Sequence, residues 1–179
     1  MADEAAVEQG VFLDLIIRAE TAADQAGAVE VHRLAFGGEH EAAIVERLRD
    51  GRLVVASLVA AHGQRIVGSI LFSRLPIHAD AGVVIPAVAL APLAVLPDRQ
   101  RQGIGSMLVR AGLSACEQAG ESIVIVVGHP GYYGRFGFSS ELARPLRSPF
   151  SGEASMALEL LPDALDGITG EVRYPAAFD

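Results

Sequence analysis

The chain has 179 residues, 51% hydrophobic and 20% charged, a composition that suits one globular domain large enough to bury a core without staples. A formal net charge of −8 disfavours a broad nucleic-acid surface, and the single cysteine, Cys116, excludes an intrachain disulfide. All 14 basic side chains are arginines, which rules out Schiff-base chemistry on a lysine and the lysine of a P-loop.

The N-terminal MADEAAVEQG is acidic and carries no Lys or Arg, so it does not read as a signal peptide. We expect one domain over residues 1–179, with 1–11 as a flexible tail. FLDLIIRAE (12–20) reads as a first strand. Thr21 and Asp24 stand at capping-box spacing before AVEVHRLAF, whose apolar residues recur at helical intervals until Gly37 and Gly38. A second helix is predicted over 40–51, with Ala43, Ile44 and Leu48 inward and Gly51 as its stop. LVVASLVAAH (53–62) and RIVGSILFSRLPI (65–77) read as a hairpin across a tight His62-Gly63-Gln64 turn.

GVVIPAVALAPLAVL (82–96) reads as one long strand with a bulge or bend at its prolines. The run from Ala81 to Leu96, the longest apolar stretch, is broken by Pro86 and Pro92 and falls short of the roughly 20 residues of a membrane helix. These features point to a soluble, cytoplasmic protein. A helix is expected from about Gly103 to Ala119, then a strand buried on both faces over 122–128. GYYGRFGF (131–138) reads as one or two helical turns closing on Gly137, and SMALELL and GEVRYP are two further strands. The order predicts an α/β fold with a mixed, mostly antiparallel central sheet and helices on both faces.

The segment PDRQRQGIGSML (97–108) carries the chemistry. A helix N-terminus exposes unpaired N–H groups and the positive end of the dipole, and glycines let a phosphate approach the main chain. Arg99 and Arg101 add positive charge to an otherwise acidic protein. A Rossmann fingerprint fails because Leu108 stands where a third Gly or Ala is needed, and a P-loop fails for want of lysine. Gly105 could instead serve only close helix–sheet packing, but with Gly103 and Arg101 beside it the phosphate reading is favoured.

Gln100-Arg101-Gln102-Gly103-Ile104-Gly105 matches the pattern Gln/Arg-x-x-Gly-x-Gly/Ala, the pyrophosphate signature of the GNAT superfamily of acyl-CoA N-acyltransferases. The resemblance extends to LAPLAVLPD before it and to GHPGYYGRFGF (128–138), which is similar to a segment ending in Tyr-x-x-x-Gly-Phe. Within that superfamily the chain resembles small bacterial predicted N-acetyltransferases. The resemblance implies transfer of an acetyl group from acetyl-CoA to a primary amine by direct attack, without a metal. It implies a cofactor site at Leu93, Ala94, Val95, Gln100, Arg101, Gln102, Gly103, Ile104, Gly105 and Ser106. Tyr133 maps to the acid that protonates the leaving thiolate, with Phe136 and Phe138 anchoring its helix and Tyr132 at a packing position.

The general base stays open among Glu39, Glu41, His78 and His129, and Arg135 is either a solvated cation or a phosphate partner. His40-Glu41 misses the zinc protease pattern, since Ile44 stands at the second His position. The expected partners are acetyl-CoA and an amine acceptor, small molecule or peptide, with neither nucleic acid nor membrane; a homodimer is left open. The acceptor choice is placed around Gly37–Glu41 and Arg144–Gly152. The alternative is an acyl-CoA sensor without catalysis.

Overall fold

The computed structural model describes residues 14–150 and 152–179; the expected N-terminal tail and the start of the expected 12–20 strand lie outside the described residues. In chain order the elements are β1 (Leu15–Ala19), α1 (Gln25–Phe36), α2 (His40–Asp50), β2 (Val54–His62), β3 (Arg65–Arg74), β4 (Ile77–Ala79) and β5 (Val84–Ile85). They continue with β6 (Val88–Val95), α3 (Ile104–Gln118), β7 (Ile123–Val127), α4 (Pro130–Tyr133), α5 (Ser140–Ala143), β8 (Leu146–Arg147), β9 (Ser155–Glu159) and β10 (Gly170–Val172).

The main sheet has six strands in the order β1-β2-β3-β6-β7-β9. Every neighbouring pair is antiparallel except β6 and β7. Alternation along β3 explains how both faces are covered. Gly68 and Phe72 lie under α3: a side chain at Gly68 would meet Leu108, and one at Gly112 would overlap the Phe72 ring. A glycine in mid-helix therefore lets α3 settle onto the sheet. Ser69 and Leu71 face the other way, Ser69 within 3.1 Å of His32 on α1 and Leu71 packed with Ile44, Val45 and Leu48 of α2. The mixed, mostly antiparallel sheet with helices on both faces is thus present.

Three details differ from the sequence reading. The 82–96 stretch is two strands in two sheets, because Pro86 lies between β5 and β6 and cannot donate to a ladder. The hairpin's second strand stops at Arg74, and β4 joins β5, β10 and β8 in a second sheet of four short strands. That sheet packs Ile77, Leu146 and Val172 against Ala89, Ile123 and Ile125 of the main one. On α2 it is Ala42, 2% exposed, that joins Ile44 and Leu48 inward, while Ala43 is half-buried. No helix among the described residues is long and apolar enough to cross a membrane.

Candidate active site

The site starts where the main sheet opens. β6 and β7 pair only at Val88–Val124 and Ala89–Ile125, after which β6 runs on to Val95 without its neighbour. The departure coincides with a bulge in the β3–β6 ladder, where Ala91 and Pro92 interrupt the register between Leu90–Phe72 and Leu93–Ile70. Past the bulge the Leu96 N–H donates to the Val67 carbonyl at 2.9 Å. Antiparallel ladders alternate, so the Ala94 amide also faces β3, while the amides of Leu93 and Val95 point into the gap.

Across that gap sits the start of α3. Its first intrahelical bond runs from the Met107 N–H to the Gly103 carbonyl, 3.0 Å, which leaves the amides of Ile104, Gly105 and Ser106 without helical partners. Gly103 caps the helix at φ +84°, a conformation glycine adopts without steric cost. Arg101 is also left-handed, at φ +63°, an uncommon setting for a residue with a side chain. The loop is tied down by glutamines: the Gln100 side chain donates to the Val95 carbonyl at 3.0 Å and Gln102 to the Asp98 carbonyl at 3.3 Å.

A cavity of about 440 Å³ lies against these amides, walled by Leu93, Val95, Gly103, Gly105 and Ser106 and by Arg99, Arg101 and Arg135. Among the described residues, eight of the 14 arginines make ion pairs with carboxylates. Among the described residues, Arg99, Arg101 and Arg135 have no carboxylate partner, so three uncompensated guanidiniums and three free amides converge on one cavity. That is the donor set a pyrophosphate requires. The residues present fit coenzyme A.

Tyr132 links this cavity to the next. A side chain at Gly105 would come within 2.8 Å of the Tyr132 hydroxyl, and the Arg135 guanidinium lies 4.7 Å above the Tyr132 ring. On its far side a second cavity of about 410 Å³ is walled by Phe36, Glu41, Leu90, Pro92, His129, Tyr133 and Phe178. Leu93 and Tyr132 line both cavities, and the open end of the sheet lies between them.

Tyr133 stands in the second cavity on α4. Pro130 opens that short helix, and the His129 carbonyl accepts from the Tyr132 and Tyr133 amides, each at 3.0 Å. A side chain at Gly128 would overlap the Tyr133 ring, so the glycine that follows β7 makes the ring's seat. Phe138, 4% exposed, packs edge-on against Tyr133 at 5.8 Å, whereas Phe136 packs against Tyr132 at 5.4 Å. The two phenylalanines therefore steady different tyrosines. Burial, with a smaller contribution from Tyr132, pushes the Tyr133 phenol up to about 12, which keeps it protonated and able to donate near neutrality. Cys116 is on the buried face of α3 with its thiol pushed up to about 12 by burial, unfit as a nucleophile.

Most residues singled out from the sequence meet at these cavities, but they do different things. Leu93, Val95, Gln100, Arg101, Gly103, Gly105 and Ser106 line the first cavity. Ala94 is 3% exposed with its amide turned to β3, and Ile104 buries its side chain and offers only its amide. Gln102 lies outside the lining and braces the loop. Among the candidate bases Glu41 and His129 line the second cavity. Glu39 is bound to Arg33 at 2.6 Å, and His78 sits on β4 in the second sheet, opposite Glu171. Sequence reasoning placed Tyr132 as packing and missed its part in both walls. Two aromatics in a row carry no mark of which one faces the glycine. Phe36 and Phe178 were missed because nothing local announces that a helix end and the residue at 178 meet.

Residues 16–140 match the Acetyltransferase (GNAT) domain family. The chain is 32% identical over 168 residues to the protein named Uncharacterized N-acetyltransferase YhbS of Escherichia coli strain K12, covering 92% of this chain and 99% of that one. It is 36% identical over 151 residues to Uncharacterized N-acetyltransferase YjhQ of the same strain, covering 80% and 83% of the two chains. The crystal structure of Escherichia coli YhbS in complex with CoA superposes with a TM-score of 0.85, at 32% identity over 93% of this chain and 92% of that one. A GNAT family acetyltransferase from Brucella melitensis, in complex with acetyl-CoA, superposes with a TM-score of 0.77, at 34% identity over 92% and 98%. With its glycine-capped α3, its opened sheet and this match across most of its length, the chain belongs to the GNAT acetyltransferase family.

Proposed function

We propose that this protein transfers the acetyl group of acetyl-CoA directly to a primary amine, with Tyr133 as the proton donor to the departing thiolate. The observation that carries this reading is the meeting of two cavities at Leu93 and Tyr132, one lined by unpaired cations and the other holding a protonated tyrosine. The pyrophosphate is read as lying on the amides of Ile104, Gly105 and Ser106, among Arg99, Arg101 and Arg135. The pantetheine arm then follows β6 through the amides of Leu93 and Val95. An amide pointing into the gap also polarises the thioester carbonyl and holds the oxyanion that forms on attack.

The acceptor arrives as an ammonium and must first lose one proton. Its nitrogen forms the C–N bond, the C–S bond breaks, and the nitrogen loses a second proton. Tyr133 gives its hydroxyl proton to the thiolate and regains one, so the products are an amide, CoA thiol and one proton released to solvent. His129 and Glu41 are both in the acceptor cavity to relay those protons. Direct transfer suits a site whose only cysteine, Cys116, is buried away from it.

The test is a calorimetric titration with acetyl-CoA together with thiol release in the presence of primary amines. Binding with amine-dependent release supports the reading. Tight binding with no release from polyamines, amino acids, aminoglycosides, peptides or aryl-alkyl amines would turn it into an acyl-CoA sensor.

A further inference from the structure

The acceptor cavity has a chemistry of its own. Its walls are largely apolar: Phe36, Ile44, Leu90, Pro92 and Phe178 line it. Phe36 is 48% exposed there, a large apolar surface left facing water unless something covers it. Glu41 is the sole carboxylate in the lining, and no guanidinium joins it. Glu39, two residues earlier, is held by Arg33, but Glu41 has no cationic partner among the described residues. Phe178 is set in place from outside the cavity: the Arg47 side chain of α2 donates to the Ala177 carbonyl at 2.9 Å, and Tyr174 packs edge-on at 5.3 Å.

From these features we infer that the acceptor is a small primary amine with a single positive charge and an apolar body of roughly aromatic size. This deepens, and rests on, the acetyl-transfer reading above. Glu41 receives the ammonium beside Tyr133, and Phe36 and Phe178 cover the body. An amino acid is disfavoured because its carboxylate would enter an apolar cavity with no guanidinium to meet it. Polyamines and aminoglycosides bring several charges to a wall with one carboxylate, and each extra ammonium would be stripped of water without a partner.

The experiment measures kcat and KM for 2-phenylethylamine, phenylalanine, spermidine and a short peptide beginning with Phe, by thiol release at saturating acetyl-CoA. Calorimetry gives the Kd of acetyl-CoA for the wild type, Glu41→Gln and Phe178→Ala. We expect 2-phenylethylamine to exceed phenylalanine and spermidine in kcat/KM by about tenfold to hundredfold, the cost of one unpaired buried charge. Glu41→Gln, nearly isosteric, should raise the KM for 2-phenylethylamine by roughly tenfold or more, and Phe178→Ala should raise it as well. Neither should move the Kd of acetyl-CoA. Equal or better turnover of phenylalanine, spermidine or the peptide would overturn the inference while leaving acetyl transfer intact. So would an unchanged KM in Glu41→Gln. Failure of the wild type to bind acetyl-CoA would overturn both.

Discussion

The two cavities that meet at Tyr132 are built in opposite ways. The first is made largely of main chain: three helix-start amides, two gap-facing strand amides and a glycine at φ +84°, with arginines supplying charge around them. The second is made of side chains from α1, α2, β6, α4 and the turn at Ala176–Phe178. A backbone site is set by where glycines and prolines fall, so its shape tolerates wide changes in neighbouring side chains. A side-chain site can be re-lined one residue at a time without touching the fold. The first suits an invariant ligand and the second a variable one.

The largest expected effect falls on the second cavity. Tyr133→Phe leaves the ring in its seat against Gly128 and Phe138 and removes only the hydroxyl. We expect kcat to drop by about 100-fold, the lower end for general acid catalysis, with the Kd of acetyl-CoA unchanged. Because burial holds the phenol near 12, the deficit should be uniform through neutral and mildly alkaline pH, with any descending limb due to Tyr133 pushed toward pH 12. A deficit that closes by pH 9 would assign the proton to another group.

Next in size is the first cavity. Gly105→Asp puts a carboxylate where the pyrophosphate is read to lie and presses on the Tyr132 hydroxyl. Acetyl-CoA should bind at least tenfold more weakly, at about 1.5–3 kcal/mol per charged hydrogen bond lost. Gly103 sharpens the point, because nothing lies within 4 Å of a side chain there and only the left-handed backbone resists one. Gly103→Asn, which accepts that conformation, should bind acetyl-CoA better than Gly103→Val. Equal affinities in the two would show that the cap conformation is not what the cofactor needs.

The smallest effect concerns stability, at a buried histidine between α1 and β3. His32 is fully buried, its Nε2 is 3.1 Å from the Ser69 hydroxyl, and desolvation, with Arg49 adding, holds its pKa down to about 4. Its unfolded value is about 6.5, so its contribution is complete above pH 6.5 and is lost as pH falls toward 4. Acidifying from pH 7 to 6 should cost on the order of 1 kcal/mol. Chemical denaturation at the two pH values reads it, and His32→Gln should flatten the slope.

How much could be read in advance follows the same division. The first cavity was legible because its determinants are close in sequence: Gly103, Gly105 and the arginines before them form the helix start that lines it, and their order carried the family resemblance. Pro92 likewise announced a bulge, though not that β6 would leave β7 beyond it. The second cavity was half legible. Tyr133 followed from its segment, but Phe178 is brought to Glu41 and Phe36 only by the packing of residues 176–178 on α2, which no local pattern encodes. The second sheet was missed for a related reason: β4, β5, β8 and β10 have two or three residues each, too short for alternation to show.

The central claim is that the first cavity holds the cofactor and the second does the chemistry. The most direct test measures the Kd of acetyl-CoA and kcat at saturating substrates for Gly105→Asp, Tyr133→Phe and the double variant. The account predicts that Gly105→Asp changes Kd and spares most of kcat, that Tyr133→Phe does the reverse, and that the double variant shows both losses in full. Loss of acetyl-CoA affinity in Tyr133→Phe, with kcat kept at the wild-type level, would contradict it.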